Sequence, residues 1–568
     1  MLTSNNTIMY CCFTNLCLIF PEAIIIDGET KADKTTTEGQ TTVADQTDED
    51  SFAVPSVQID DGDMGAHQRE IEEETTVVNQ TTEDSFAVPS VQIDDGDMGA
   101  HQQKIEVETT VVNQTTEDSF AQPPVLIDDG DMGAYQRKIE EETTVVNQTT
   151  EDSFAVPSVL IDDGDMGAHQ QKIEVETTVV NQTTEDSFAV PSVQIDDGDM
   201  GAHQRKIEVE TTVVNQTTED SFAVPSVLID DADMGAHQRK IEEETTVVNQ
   251  TTEDSFAVPS VQIDDGDMGA YQRKIEEETT VVNQTTEDSF AVPSVQIDDG
   301  DMGAHLRKIE VETTVVNQTT EDSYAQPPVL IDDGDMGAHQ RKIEVETTVV
   351  NQTTGDSFAV PSVQIDDGDM GAHQQKIEVE TTVVNQTTED SFAQPPVLID
   401  DGDMGAYQRK IEEETTVVNQ TTEDSFAVPS VQIDDGDMGA HQRKIEVETT
   451  VVNQTTEDSF AQPPVQIDDG DIGAHQRKIE EETTVVNQTT EDSFAVPSVQ
   501  IDDGDMGAHQ QKIELGETVV IRTNENSFGE PTIILFDGGS KADQTTTGEE
   551  TDMFSATTTT DLIDVTPV

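Results

Sequence analysis

Residues 187–220 read SFAVPSVQIDDGDMGAHQRKIEVETTVVNQTTED, and this stretch decides the fold because the chain repeats it. Its first serine recurs at Ser51, Ser85, Ser119 and onward to Ser493 at a constant spacing of 34 residues. That spacing gives fourteen units, the last of which degenerates toward an echo at Ser527. A fixed period of this length is the signature of a repeat architecture.

Two parts of the unit alternate as strands do. The first holds Phe188, Val190, Pro191, Val193 and Ile195; the second holds Ile207, Val209, Thr211 and Val213. The segment DDGDMG at 196–201 lies between them and reads as a turn. Thirty-four residues is also the period of tetratricopeptide helix pairs, but the tryptophan, glycine and tyrosine framework of those repeats is missing. The apolar positions are mainly β-branched, which suits packed helices poorly.

Composition pulls against a packed fold. The 568 residues carry 120 Asp and Glu against 27 Lys and Arg, a formal net charge of −93, and aromatic residues make up 4% with no Trp. Such a charge opposes compaction, and stacking the copies would set about five or six net negative charges of each over the next. The apolar side chains of one unit are mostly small, so their burial falls short of the entropy lost on ordering the chain. The expectation is a mostly intrinsically disordered tandem-repeat protein; a β-rich, solenoid-like stacked array is the alternative.

Outward from the array, the chain divides into an apolar N-terminal segment (1–23), a Thr/Asp-rich flank (24–50), the repeats (51–526) and an acidic, Thr-rich tail (527–568). The flanks echo each other, with IIIDGETKADKTTTE at 24–38 and IILFDGGSKADQTTTG at 533–548. The run from Ile8 to Phe20 is too short to span a bilayer. It has the length of a signal-peptide core, although no Lys or Arg precedes it. Cys11, Cys12 and Cys17 are the only cysteines, so the repeats hold neither disulfide nor cysteine metal site.

No basic cluster offers phosphate contacts, and direct nucleic-acid binding is disfavoured. Basic or groove-like protein surfaces are the expected partners. The partner-binding candidates are Phe188, Val190 and Val193, with Asp196, Glu219 and Asp220 around them, and their equivalents in other copies. Asp196, Asp197 and Asp199 place three carboxylates within four residues, a weak cation candidate that lacks the twelve-residue calcium loop. His203 recurs in most copies but is Tyr in three of them, such as Tyr135, so it reads as a surface residue rather than a metal ligand. No cofactor is expected, and nothing holds a nucleophile and base in fixed geometry, so the chain is not expected to be an enzyme. The triplet NQT makes Asn79, Asn113, Asn147, Asn181 and Asn215 glycosylation acceptors if the source is eukaryotic.

At TEDSFAVPS (82–90) the unit resembles those of the tandem-repeat secreted effectors of ehrlichial bacteria. The tail at 542–568, rich in Thr, Asp and Glu and free of Lys and Arg, is similar in character to their C-terminal type I secretion signals. The resemblance implies an immunodominant antigen, an antibody target, delivered to a host cell where it binds host proteins. A different class is a eukaryotic secreted acidic glycoprotein of an extracellular or mineralised matrix, with glycans on the NQT sites and calcium on the DDGD turns.

Overall fold

The computed structural model describes the backbone of residues 17–19, 24–27, 35–47 and, apart from short stretches of the turns, 51–537. Side chains are described chiefly between 70 and 500. Each repeat makes three strands. In the unit quoted above they are a short strand Ser187–Ala189, a middle strand Ser192–Asp197 and a long strand Met200–Gln216. No described residue is helical.

The chain forms two compact units, 1–286 with 294–301, and 287–293 with 302–568. In the first, short strands run from Cys17–Ile19 to Ser255–Ala257, middle strands from Ile24–Asp27 to Ser294–Asp299, and long strands from Thr35–Thr47 to Met268–Gln284. Every strand pairs in parallel with its equivalent in the next repeat, and within the array mostly like residue against like residue: Phe188 with Phe222, Ile195 with Ile229, Asn215 with Asn249. The second unit follows the same rule from Ser289–Ala291 to Ser527–Gly529, from Pro328–Asp333 to Thr532–Asp537, and from Met302–Gln318 to Met506–Arg522. Each unit is thus a parallel β-solenoid, with one repeat to a coil.

The expected disorder is therefore overturned, and the stacked β array is the architecture found. Two physical terms were undervalued. First, the backbone ladder runs from coil to coil even through the corners. Val190 N–H donates to Ala155 O at 2.9 Å and Ser192 N–H to Pro157 O at 3.0 Å. Pro191, which has no N–H to give, only accepts, from Ser226 N–H at 3.0 Å. Second, the core is only partly apolar. Facing inward are Ala189, Val193, Ile195, Ile207, Val209 and Val213, and among them Ser187, Arg205, Thr211 and Asn215, all buried. Counting apolar side chains alone missed these polar rows, whose members bond to one another instead of losing water without return.

The asparagine row shows how. Asn215 Nδ2 donates to Asn249 Oδ1 at 3.2 Å, and Ser187 Oγ donates to Asn215 Oδ1 at 3.1 Å. The row ties the end of each long strand to the short strands beside it. Arg205 Nε likewise donates to Gln171 Oε1 of the preceding coil at 2.8 Å. In the copies reading EEE rather than EVE, a glutamate takes the inward place of Val209. Burial pushes the carboxyls of Glu141 and Glu413 up to about 8 and that of Glu73 up to about 7. Glu243 and Glu277, paired across adjacent coils, are both raised by burial, Glu277 also by its neighbour Glu243.

The feared stacking of charge is partly offset outside. Lys206 bonds to Glu208 of its own coil and reaches Glu242 of the next at 2.9 Å, so cations alternate with carboxylates along the row. Where no lysine intervenes the strain remains. Partial burial, then Glu142 and Glu210 of the flanking coils, pushes the Glu176 carboxyl up.

The stacking also extends past the sequence repeats. Cys17–Ile19 pairs with Ser51–Ala53, Ile24–Asp27 with Val57–Asp60, and Thr532–Asp537 with Ser498–Asp503. The echoed apolar runs IIID and IILFD are thus middle strands of coils outside the array. The possible signal-peptide run before Cys17 and the tail at 542–568 lie outside the described residues.

Candidate binding surface

A strand that alternates inward and outward sorts the candidates by parity. Phe188 and Val190 point outward and are half-buried, whereas Val193 has the opposite parity and sits in the core at 2% exposure. Val193 therefore cannot share a contact face with Phe188. Asp196 and Glu219 are exposed and Asp220 half-buried. The side chains of Asp197, Asp199 and His203 lie outside the described residues. No group of three or more His, Cys, Asp or Glu that could hold a metal ion occurs among the described residues.

The acceptor asparagines are placed decisively. Asn79, Asn113, Asn147, Asn181 and Asn215 are all at 0% exposure, inside the asparagine row. The folded coil offers no side-chain nitrogen there to a glycan.

The outward rows make the surface. From Phe154 through Phe188 and Phe222 to Phe256 the rings stack at centroid separations of 4.9, 4.8 and 4.9 Å, within 2° of parallel. In the second unit Phe290, Tyr324 and Phe358 do the same at 4.8 and 5.0 Å. Elsewhere the rings tilt: Phe86 to Phe120 and Phe120 to Phe154 are 6.0 Å apart at 37° and 35°. Phe392 is tilted against Phe358 and Phe426 by 40° and 39°. Both Phe120 and Phe392 belong to QPPVL copies, where glutamine (Gln122, Gln394) replaces the outward valine. Tyr324, in a copy with Gln326, stays stacked, and nothing in the structure explains that exception.

One carboxylate row borders these rings and a second runs along the middle strands. On one side runs the Asp186 row, in which Asp186 N–H donates to Asp152 Oδ1 at 3.3 Å and Asp220 N–H to Asp186 Oδ1 at 3.3 Å. Partial burial, offset by the Asp186 N–H bond, together with Asp118 and Asp186, holds the Asp152 carboxyl above its ordinary range. On the other side, beyond Val190, Ser192 and Gln194, runs the exposed Asp196 row. There partial burial, then Asp298 and Asp230, raises Asp264. The in-and-out alternation runs unbroken from Ser187 to Asp196, with Pro191 buried in phase. The apolar residues change phase between Val190 and Val193, so the even spacing from Phe188 and the odd spacing to Val193 already separate an outward pair from an inward residue.

The fold and its register define the class: an acidic parallel β-solenoid whose outward rows repeat once per coil. No known family, curated protein or solved structure matches the chain. No helix among the described residues is long and apolar enough to cross a membrane.

Proposed function

We propose that the chain is a secreted, non-enzymatic display protein, a bacterial effector and immunodominant antigen that offers host proteins and antibodies one surface in many copies. The observation that supports this reading is the register. Like residues pair from coil to coil, so whatever one coil presents outward, its neighbours present again, at ring separations of 4.8 to 5.0 Å where the rings lie parallel.

That pitch alters the form of multivalency expected from a flexible chain. A globular partner covers about 800 Å² of its target, a patch roughly 30 Å across, so one footprint takes in about six coils. A partner recognises a run of coils, and the array offers many overlapping registers for each binding event. Multiplicity of starting positions then raises the association rate and lowers escape. The acidic outer rows favour basic partners. The glycoprotein of a mineralised matrix is the weaker reading, because its glycan acceptors are buried.

The test is a series of full-length chains shortened by whole 34-residue units, each measured against a partner captured by cross-linking from host cells. Affinity is expected to hold until about six coils remain and then to fall steeply. A synthetic single unit that binds as tightly as the intact chain would remove the reading.

A further inference from the structure

Three of the four most exposed large hydrophobic residues, Val54 at 44%, Val258 at 36% and Phe426 at 37%, belong to the outward Phe188 and Val190 rows. The apolar strip therefore holds most of the exposed large hydrophobic residues among the described residues; Leu306, at 47%, stands alone on a long strand. The Asp186 carboxylate row runs directly beside the Phe188 row, whereas the Asp196 row lies on the middle strands beyond Ser192 and Gln194. Neither the aromatic row nor the acidic row alone would indicate a ligand; their adjacency does.

We infer that this strip is a docking track for an extended polypeptide segment that carries lysine or arginine together with apolar side chains. The inference rests on the reading above and names the chemistry of the partner. Apolar side chains of the segment lie along the phenylalanine and valine rows. Its cations meet the carboxylates of the Asp186 row beside the rings, whose faces are covered by one another in the stack. Charge decides against other occupants. A second copy of this chain, at −93, or an acidic segment would bring carboxylate against carboxylate. A purely basic segment would gain the carboxylate row but leave the apolar strip in water.

The tilted rings locate the best run. Between Phe154 and Phe256 the phenylalanines are uninterrupted and parallel, and the valine row beside them, Val156 to Val258, contains no glutamine. That stretch of the first unit is the preferred seat, and coils with Gln122 or Gln394 are poorer ones.

Calorimetry on the intact chain tests this with two synthetic probes of equal charge, an alternating Lys-Leu peptide and an oligolysine. The Lys-Leu peptide is expected to bind at least about tenfold more tightly, a gap that persists in high salt while oligolysine binding is lost. Joint replacement of Phe154, Phe188, Phe222 and Phe256 by Ser removes the apolar row, and is expected to reduce Lys-Leu affinity on the order of tenfold and leave oligolysine binding unchanged. Should that variant lose its circular-dichroism signature, Asp→Asn at Asp152, Asp186, Asp220 and Asp254 serves instead. It keeps the side-chain oxygen that accepts the backbone bond, removes the charge, and is expected to weaken both probes. Equal affinity for the two probes overturns the docking track while leaving the wider acidic-display reading intact. Failure of both probes to bind the intact chain overturns the two together.

Discussion

Asn181 and Asn215, one coil apart and at 0% exposure, are joined by a hydrogen bond of 3.2 Å from Nδ2 of the first to Oδ1 of the second. Asn215 also accepts from Ser187 Oγ and lies 3.5 Å from the Phe222 carbonyl through its own Nδ2. Asn215→Ala removes one member and strands the others without water. The expected cost is about 1–3 kcal/mol for each buried group left unpaired. In a repeat fold the damage stays near the altered coil. Native-state hydrogen exchange should show faster exchange in the coils next to residue 215, with distant coils unchanged. The exposed neighbour Gln216→Ala is the control, and equal effects of the two would contradict the buried asparagine row.

The parity of the long strand gives a sharper contrast. Ile207 is buried and Thr212, on the opposite face, is half-buried. Ile207→Asp places an unpaired carboxylate in the core and is expected to destabilise the chain by at least about 3 kcal/mol, whereas Thr212→Asp costs under about 1 kcal/mol. Urea denaturation of both variants measures the difference. A chain without fixed inward and outward faces would show none.

The buried glutamates make acid a stabiliser. Burial pushes the Glu141 and Glu413 carboxyls up to about 8 in the fold from an ordinary value of 4.5, so the folded chain holds protons that the unfolded chain releases. Their neutral form supports the fold fully below the unfolded value, and the benefit is lost as pH rises from there through the folded value. Melting temperature should therefore fall between about pH 4.5 and pH 8 and level off above. Replacing Glu141, Glu243, Glu277 and Glu413 by Val, the residue other copies carry, should flatten the profile and raise stability at pH 8. Thermal melts across this range provide the check, and a wild-type melting temperature that rises with pH would contradict the burial.

Tyr324 reports on the aromatic row. Partial burial, and then Asp322, Asp288 and Asp356 around it, raises its hydroxyl above the ordinary value of 10.0. Ultraviolet difference titration of the wild type against Tyr324→Phe should isolate a late-titrating phenol. An ordinary midpoint would mean that the ring stands clear of the acidic rim.

Part of this was legible in the residues. The alternation of Ile207, Val209, Thr211 and Val213 marks the inward face of the long strand as the structure has it, and the rejection of helical repeats agrees with a fold in which no described residue is helical. The expectation of disorder sets apolar burial alone against chain entropy and stacked charge. Asn215, Ser187 and Arg205 look like surface residues until a further coil lies above and below to satisfy them. The charge argument weighs the net charge of each stacked coil and leaves out ion pairs between coils, such as that of Lys206 with Glu242. At the candidate surface, Phe188 and Val190 face outward while Val193 faces the core. The apolar residues change phase between Val190 and Val193 while the backbone alternation runs on through the buried Pro191, so hydrophobicity alone does not tell which of them face inward.

Like-against-like pairing has a genetic corollary. A coil's best neighbour is a copy of itself, so unequal recombination that inserts or removes one whole unit creates a junction no worse than any already present. Copy number can then drift between lineages while each product still folds, and a shift of any other length is purged. Variation tolerated at a single place, outward as with glutamine for valine at Gln122 or inward as with glutamate for valine at Glu141, is spread by the same exchange to neighbouring coils.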